Sequence, residues 1–270
     1  MELKQNEVAA FQTKIMAWWK ENGRDLPWRR DPSPYNVLVS EVMLQQTQVS
    51  RVIPKYNEFL ETFPTIESLA KAETKHLLQV WSGLGYNRRA LWLKEAARQI
   101  LERGEFPRSV NELKELKGIG PYTSRSILIF AFNNDLAAVD TNIRRVLIAS
   151  GFADESMKEK DLQDVANRIL LKGRSRDWHN ALMDYGSAVM TSSITGIAPT
   201  SKQPCYNGSS RQIRGELIRL LTQSEKVSIS DLRSSLDCDV ELSELERILN
   251  RLVSDGLVEQ TLSGDFHIAA

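Results

Sequence analysis

The 270-residue chain is 41% apolar and 26% charged, ordinary values for a globular protein with a sizeable core. Its two cysteines, Cys205 and Cys238, exclude a disulfide framework and any four-cysteine metal or iron–sulfur site, and no apolar run approaches the ~20 residues of a membrane span. The formal net charge of +0 hides an asymmetry: residues 211–270 hold seven Lys/Arg against eleven Asp/Glu, a net of −4, so residues 1–210 carry +4 and with it any phosphate-binding surface.

The segment "EVAAFQTKIMAWWKEN" repeats apolar residues at helical spacing and ends near Gly23. "DLPWRRDPSPY" follows as a loop broken by three prolines. Helical patterns then run over 35–49, 51–62, 66–72, 74–82, 88–103, 109–116, 122–132, 140–150, 159–172 and 177–190. Valine-rich alternating segments are scarce, which predicts an all-α fold. "TGIAPTSKQPCYNGSS" (195–210) has the composition of a linker. Beyond it, "RQIRGELIRLLTQ", "SISDLRSSL" and "ELSELERILNRLVSDG" predict three helices, and "LVEQTLSGDFHIA" two short strands around a turn, the layout of a small winged helix. The expected domains are therefore 1–206 and 207–270. The last helix carries Glu241, Glu244, Glu246 and Asp255 against Arg247 and Arg251, a poor face for the DNA major groove. A structural or protein-contacting role suits it better.

Four stretches carry chemistry. In "VLVSEVMLQQTQV" (37–49), Glu41 shares a helical face with Val37, Leu38 and Leu44. An ionised carboxylate there is costly, so the group takes up a proton, finds a partner or opens onto a cavity. In "LKGIGPYTSRSIL" (116–128), Gly118 and Gly120 make a tight hairpin before a helix that opens at Pro121, a place where backbone N–H groups attract a phosphate. An ordinary helical hairpin turn fits that segment nearly as well. In "AAVDTNIRRVL" (137–147), Asp140 precedes a helix whose first turn holds Asn142, by itself an N-cap. In "WSGLGYNRRA" (81–90), Tyr86 follows a glycine loop and precedes Arg88 and Arg89, an aromatic among cations that suits base stacking, although a packed surface tyrosine is commoner. His76, His179 and His267 lack metal spacing and read as structural or surface residues.

In their order, these stretches resemble one family. From about Gly23 to Met190, through "RDLPWRRDPSPYNVLVSEVMLQQTQV", "VWSGLGYNRRA", "LKGIGPYT", "VDTNIRRVL" and "NALMDYGS", the chain is similar to the helix–hairpin–helix DNA glycosylases with a Gly/Pro…Asp loop. Within them it looks most like the adenine-DNA glycosylases that act on adenine opposite guanine or 8-oxoguanine. The resemblance implies a two-lobed fold, and base flipping followed by N-glycosidic cleavage. Glu41, kept neutral, would be the general acid, and Asp140 the carboxylate that stabilises the sugar cation. Tyr122 stands where the endonuclease III branch has its Schiff-base lysine, which implies a monofunctional enzyme without lyase activity. Arg24, Trp28, Arg29 and Asp184 match base-pocket positions, and Gln46 and Tyr86 match the wedge that enters the base stack. Arg88, Arg89, Gly118, Gly120, Thr123 and Asn142 complete the DNA-contacting set, Asn142 also steadying the backbone or the reactive loop.

Two departures qualify the resemblance. The family's cluster cysteines fall by spacing on Met190, Ile197, Thr200 and Tyr206, with Cys205 one residue off and alone. No iron–sulfur cluster or other cofactor is therefore expected, a monovalent cation at the hairpin being left open. The family's usual C-terminal domain, which resembles an 8-oxo-dGTP hydrolase, is replaced by the acidic winged helix, so adenine as leaving base is better supported than 8-oxoguanine opposite it. The expected protein is a monomeric base excision repair enzyme acting on mismatched duplex DNA, with a protein partner for its C-terminal domain. "MELKQNEVAA" lacks a signal-peptide pattern, which predicts a cytoplasmic, nucleoid-associated protein. A thymine, uracil or hypoxanthine mismatch glycosylase is one alternative. A non-catalytic DNA-binding protein is another, disfavoured because a retired site has no reason to keep Glu41, Tyr122 and Asp140 together.

Overall fold

The computed structural model describes residues 4–200, 205–206 and 208–270, so part of the expected linker lies outside the described residues. In chain order the helices are α1 (Gln5–Asn22), α2 (Pro27–Arg30), α3 (Pro34–Leu44), α4 (Val49–Thr62), α5 (Ile66–Ala70), α6 (Thr74–Trp81), α7 (Arg88–Arg103), α8 (Val110–Glu115), α9 (Pro121–Phe132), α10 (Thr141–Ala149), α11 (Glu159–Arg168), α12 (Ser175–Ala188), α13 (Ser192–Thr195), α14 (Ser210–Gln223), α15 (Ile229–Ser234) and α16 (Leu242–Ser254). Strands β1 (Val258–Gln260) and β2 (Phe266–Ile268) close the chain. The fold is all-α apart from that hairpin. No helix among the described residues is long and apolar enough to cross a membrane.

Two short helices and one break depart from the sequence pattern. Helix α2 lies inside the proline-rich loop, started by Pro27, whose fixed φ and missing N–H suit a first helical position. Four-residue helices such as α2 and α13 are too short to show a period. The helix expected over 35–49 stops at Leu44, and the chain turns through Gln46, which takes a φ of 59° before α4 begins. Apolar periodicity continues across that turn and conceals it.

The chain divides into two compact units. The first holds the chain up to Glu41, then Arg108–Glu115 and Ile119 to the linker. The second holds Val42–Pro107, Leu116–Gly118 and the chain beyond the linker. The expected cut at 206–207 follows the linker, whereas compactness joins the C-terminal helices to 42–107.

In the first unit, α1 and α10 both pack on α12. Their shared core contains Phe11, Ile15, Val146, Leu147, Trp178 and Leu182, extended by Val165 and Ile169 of the α11 segment. Phe11 meets Trp178 edge-on at 5.7 Å and Phe152 at 4.8 Å, the tilted geometry that aromatic quadrupoles favour. Burying a side chain of this size contributes about 1.5–3 kcal/mol.

In the second unit, Phe59 packs edge-on against Trp81 at 6.0 Å, and Val52, Leu69, Leu77 and Leu93 are buried as well. The three C-terminal helices and the hairpin appear as expected. β1 and β2 run antiparallel, Glu259 opposite His267, and Val227 adds a bridge to Phe266. Helix α16 buries Leu245, Ile248, Leu249 and Leu252 and leaves Glu241 and Glu246 exposed, while Asp255 just past its end is held by arginines. Helix α14 lies on α6, where Lys75 donates to the Ser224 carbonyl (2.9 Å) and Gln79 to that of Thr222 (2.8 Å).

Candidate active site

Glu41 lies three residues from the end of α3, after the buried Val37 and Leu38. Asp140 is the N-cap of α10, and Tyr122 the second residue of α9, after Pro121. All three belong to the first unit, and the Glu41 and Asp140 charges act on one another and on Tyr122. Each keeps an intermediate accessible surface, yet its polar head is heavily desolvated. The two observations agree for groups that water reaches from one side only.

Burial pushes the Glu41 carboxyl up to about 7, the hydrogen bond with Ser126 opposing and the Asp140 charge adding. Burial also raises Asp140, but here it is opposed by hydrogen bonds from the Ile143 and Asn142 amides and the Asn142 side chain, and by the Arg145 cation. The Ile143 N–H is 2.7 Å from Asp140 Oδ1 and Asn142 Nδ2 is 3.0 Å from Oδ2. Three donors and a cation favour the Asp140 anion, whereas a single hydrogen bond, with Ser126, opposes the burial that keeps the proton on Glu41. Tyr122 is driven well above its ordinary value by burial, then by the Glu41 and Asp140 charges, and stays a neutral phenol.

The aspartate is held by residues that its own motif does not reveal. Arg145, one turn after Asn142, donates to the Asn142 Oδ1 (2.7 Å), the Gly186 carbonyl (2.8 Å) and the Met190 carbonyl. That turns the Asn142 amide so that its NH₂ faces Asp140. Gly186 on α12 allows the close approach: a Cβ there would stand 2.9 Å from both Asn142 Cβ and its carbonyl oxygen. Buried His179 accepts the Ala138 N–H at Nε2 (3.1 Å) and pairs through Nδ1 with the Ser175 carbonyl (2.7 Å). Burial lowers it to about 4, so it braces the segment before Asp140 as a neutral imidazole. Arg145 and Ser126 each stand about one helical turn after Asn142 and Tyr122, a spacing that the sequence contains. No local signal marked His179.

Several expected contacts look different in the structure. Asp184 is 1% exposed and accepts from Trp19 Nε1 (3.1 Å), Arg24 N (2.9 Å) and Nε (2.6 Å), and both terminal nitrogens of Arg29 (2.7 and 2.9 Å). Burial alone would raise its pKa, but the Arg29 and Arg24 contacts outweigh it and hold the group low. Asp184 therefore clamps Arg24 and Arg29 beside buried Trp28, with no oxygen to spare, while buried Arg29 Nε lacks a partner among the described residues. Thr123 is buried, so its side chain does not form DNA-facing surface, a correction to its expected place there. Arg89 likewise is 4% exposed, its guanidinium spent on carbonyls, and cannot meet a phosphate. Burial lowers it to about 10, which leaves it charged at neutral pH. Both corrections share a cause: a helical stripe seen in sequence does not say which neighbour covers it.

Gly118 has a φ of 79° and presses on the Trp92 side chain, where a Cβ would come within 2.9 Å of the Trp92 Cβ and 3.0 Å of its ring. Gly120 has extended backbone with open space at its Cβ. In the second unit, Tyr86 remains 43% exposed and its hydroxyl accepts from Arg211 (3.3 Å). Arg88 covers Trp92 and pairs with Asp255 (3.2 Å), which Arg214 also holds (2.6 Å). An iron–sulfur cluster does not fit the donor set: Met190, Ile197, Thr200 and Tyr206 supply no thiolate, and the chain has two cysteines where a cluster takes four.

Known proteins resemble this chain in both sequence and fold. The family model of the HhH-GPD superfamily base excision DNA repair proteins matches residues 39–170. An adenine DNA glycosylase of Mycolicibacterium smegmatis is 38% identical, covering 95% of this chain and 95% of its own. The Homo sapiens adenine DNA glycosylase is also 38% identical, over 68% of this chain and 37% of that one. Among solved structures, a thermostable thymine-DNA glycosylase is 27% identical with a TM-score of 0.63, covering 69% of this chain and 88% of that one. A non-covalent endonuclease III–DNA complex, 20% identical with a TM-score of 0.61 over 69% of this chain and 87% of that one, shares the fold.

Proposed function

Because this chain belongs to the HhH-GPD superfamily of base excision DNA repair proteins, as a DNA N-glycosylase, we propose that it excises adenine mispaired with guanine or 8-oxoguanine in duplex DNA. The observation that carries the reading is the Glu41 carboxyl, raised to about 7 beside a neutral Tyr122 and an Asp140 whose anion is favoured by hydrogen bonds and the Arg145 cation. An adenine anion is a poor leaving group, and a carboxylic acid that keeps its proton near pH 7 removes that obstacle. The target nucleotide leaves the stack and enters beside Arg24, Trp28, Arg29 and Asp184. Glu41 gives its proton to the purine as the C1′–N9 bond breaks and the bonding electrons depart with the base. The sugar becomes an oxocarbenium ion, stabilised by the Asp140 carboxylate. Water adds to C1′, and its proton passes to the Glu41 carboxylate, restoring the acid. Tyr122 holds the sugar or the Asp140 carboxylate and forms no Schiff base, so the product is an intact strand with an abasic site. No cofactor enters the scheme.

The reading is tested by base release from duplexes carrying A·8-oxoG, A·G, T·G, U·G or inosine, with strand scission followed before and after alkali. Adenine release with scission only after alkali is expected. Thymine release without adenine would favour the second reading, to which the likeness to a thymine-DNA glycosylase lends support. Scission without alkali, with a borohydride-trapped adduct, would refute the monofunctional mechanism.

A further inference from the structure

Three non-glycine residues among the described ones have positive φ, and two of them, Gln46 (59°) and Tyr86 (47°), occupy neighbouring turns of the second unit. Left-handed backbone in such residues is unfavourable, so the surrounding structure must impose it. One side chain touches both turns. From the start of α7, Arg89 NH1 donates to the carbonyls of Val42 (2.7 Å), Met43 (2.9 Å) and Gln45 (2.6 Å), which bracket the entry to the Gln46 turn. Its NH2 donates to Thr47 Oγ1 (3.0 Å), just past Gln46, and to the carbonyls of Leu84 (3.3 Å) and Gly85 (3.1 Å), just before Tyr86. Thr47 Oγ1 reaches across to the Leu84 carbonyl (3.3 Å), and Trp81 Nε1 to that of Gly85 (3.1 Å).

The guanidinium carbon lies 5.4 Å from the Trp81 ring centre and 5.5 Å from that of Tyr86. No carboxylate pairs with it in these contacts. Its charge is balanced by carbonyl dipoles, among them those that end α3, where a helix concentrates partial negative charge. A planar fork of donors serves two turns at once, which the single ammonium of a lysine cannot do.

We propose that Arg89 is the positioning residue of the DNA wedge, locking the Gln46 and Tyr86 turns into one rigid tip that enters the base stack as a unit. The proposal rests on the excision reading above, but concerns how the tip is held and not which base leaves. It assigns Arg89 no contact with DNA.

The test compares the full chain with Arg89→Lys, Tyr86→Ala and the double variant. Duplex affinity is measured across a salt series. Extrusion is followed by 2-aminopurine fluorescence beside the target base, and base release in single turnover. Wild-type release is measured first, so its absence marks failure of the excision reading, while the fluorescence and salt series still judge Arg89. Arg89→Lys is expected to keep the salt slope, since no phosphate contact is lost, and to reduce extrusion and release about tenfold or more through misplacement of the tip. The double variant should be no worse than Tyr86→Ala alone, because both act through one tip. Losses that multiply, a salt slope smaller by about one, or unimpaired extrusion would each overturn the proposal. Should Arg89→Lys fail to fold, Thr47→Val removes one acceptor of the fork and should give the same pattern in weaker form. Wild-type extrusion by that variant would count against the proposal.

Discussion

Replacing Glu41 by glutamine keeps the shape of the acid and removes its proton. The Glu41 carboxyl stands at about 7 in the folded chain against an ordinary value of 4.5. Below pH 4.5 it is protonated whether the chain is folded or not, and its burial carries no penalty. As pH rises from there, the unfolded chain gives up the proton while the folded chain keeps it, so stability declines until the folded group also ionises near pH 7. At about 1.4 kcal/mol per pH unit, that interval is worth about 3 kcal/mol, all lost above pH 7. Glu41→Gln has nothing to titrate and should escape the loss. Denaturation of both proteins between pH 4 and 8 should show the variant gaining on the wild type by about 3 kcal/mol, or about 6–12 °C in Tm. Base release by the variant should be abolished at every pH while duplex binding survives, and wild-type release should fall as pH rises through about 7. Parallel stability curves would refute the raised acid, and a variant that retained most of its activity would refute its role.

Asp140→Asn keeps an N-cap for α10, so stability should change by less than about 1 kcal/mol, whereas loss of the anion should slow base release on the order of 10²–10³-fold in single turnover. Gly186→Ala places a methyl 2.9 Å from Asn142. It should cost about 1–3 kcal/mol in chemical denaturation and slow base release with it, because the Asn142–Asp140 pair must shift; unchanged kinetics would show that the pair tolerates displacement. Asp255→Ala frees Arg88 from its carboxylate. Duplex affinity at low salt should rise and the salt slope steepen by about one, measured by fluorescence anisotropy, and an unaltered slope would remove Arg88 from the phosphate contacts.

The sequence by itself determined the helical class and the C-terminal order of three helices and a hairpin, and through the family resemblance it put forward Glu41, Tyr122 and Asp140 as the reacting set. Each of these is written within a few turns of chain. Glu41 stands on an apolar face, Pro121 opens the helix that carries Tyr122, and Asp140 caps the one that follows it. Tertiary structure alone decided which charges meet solvent. Arg88 and Arg89 are adjacent in "GYNRRA", yet the first is half-exposed beside Asp255, 167 residues away, and the second is buried under carbonyls from α3 and the turn after it. Asp184 looked available for a substrate until five donors from 155–165 residues upstream filled it. The α3–α4 break and the role of His179 were hidden for the same reason. Periodicity records which face of a helix is apolar, but the cost of a buried charge or a left-handed turn is met by groups distant in sequence, and only the packed chain brings those groups together.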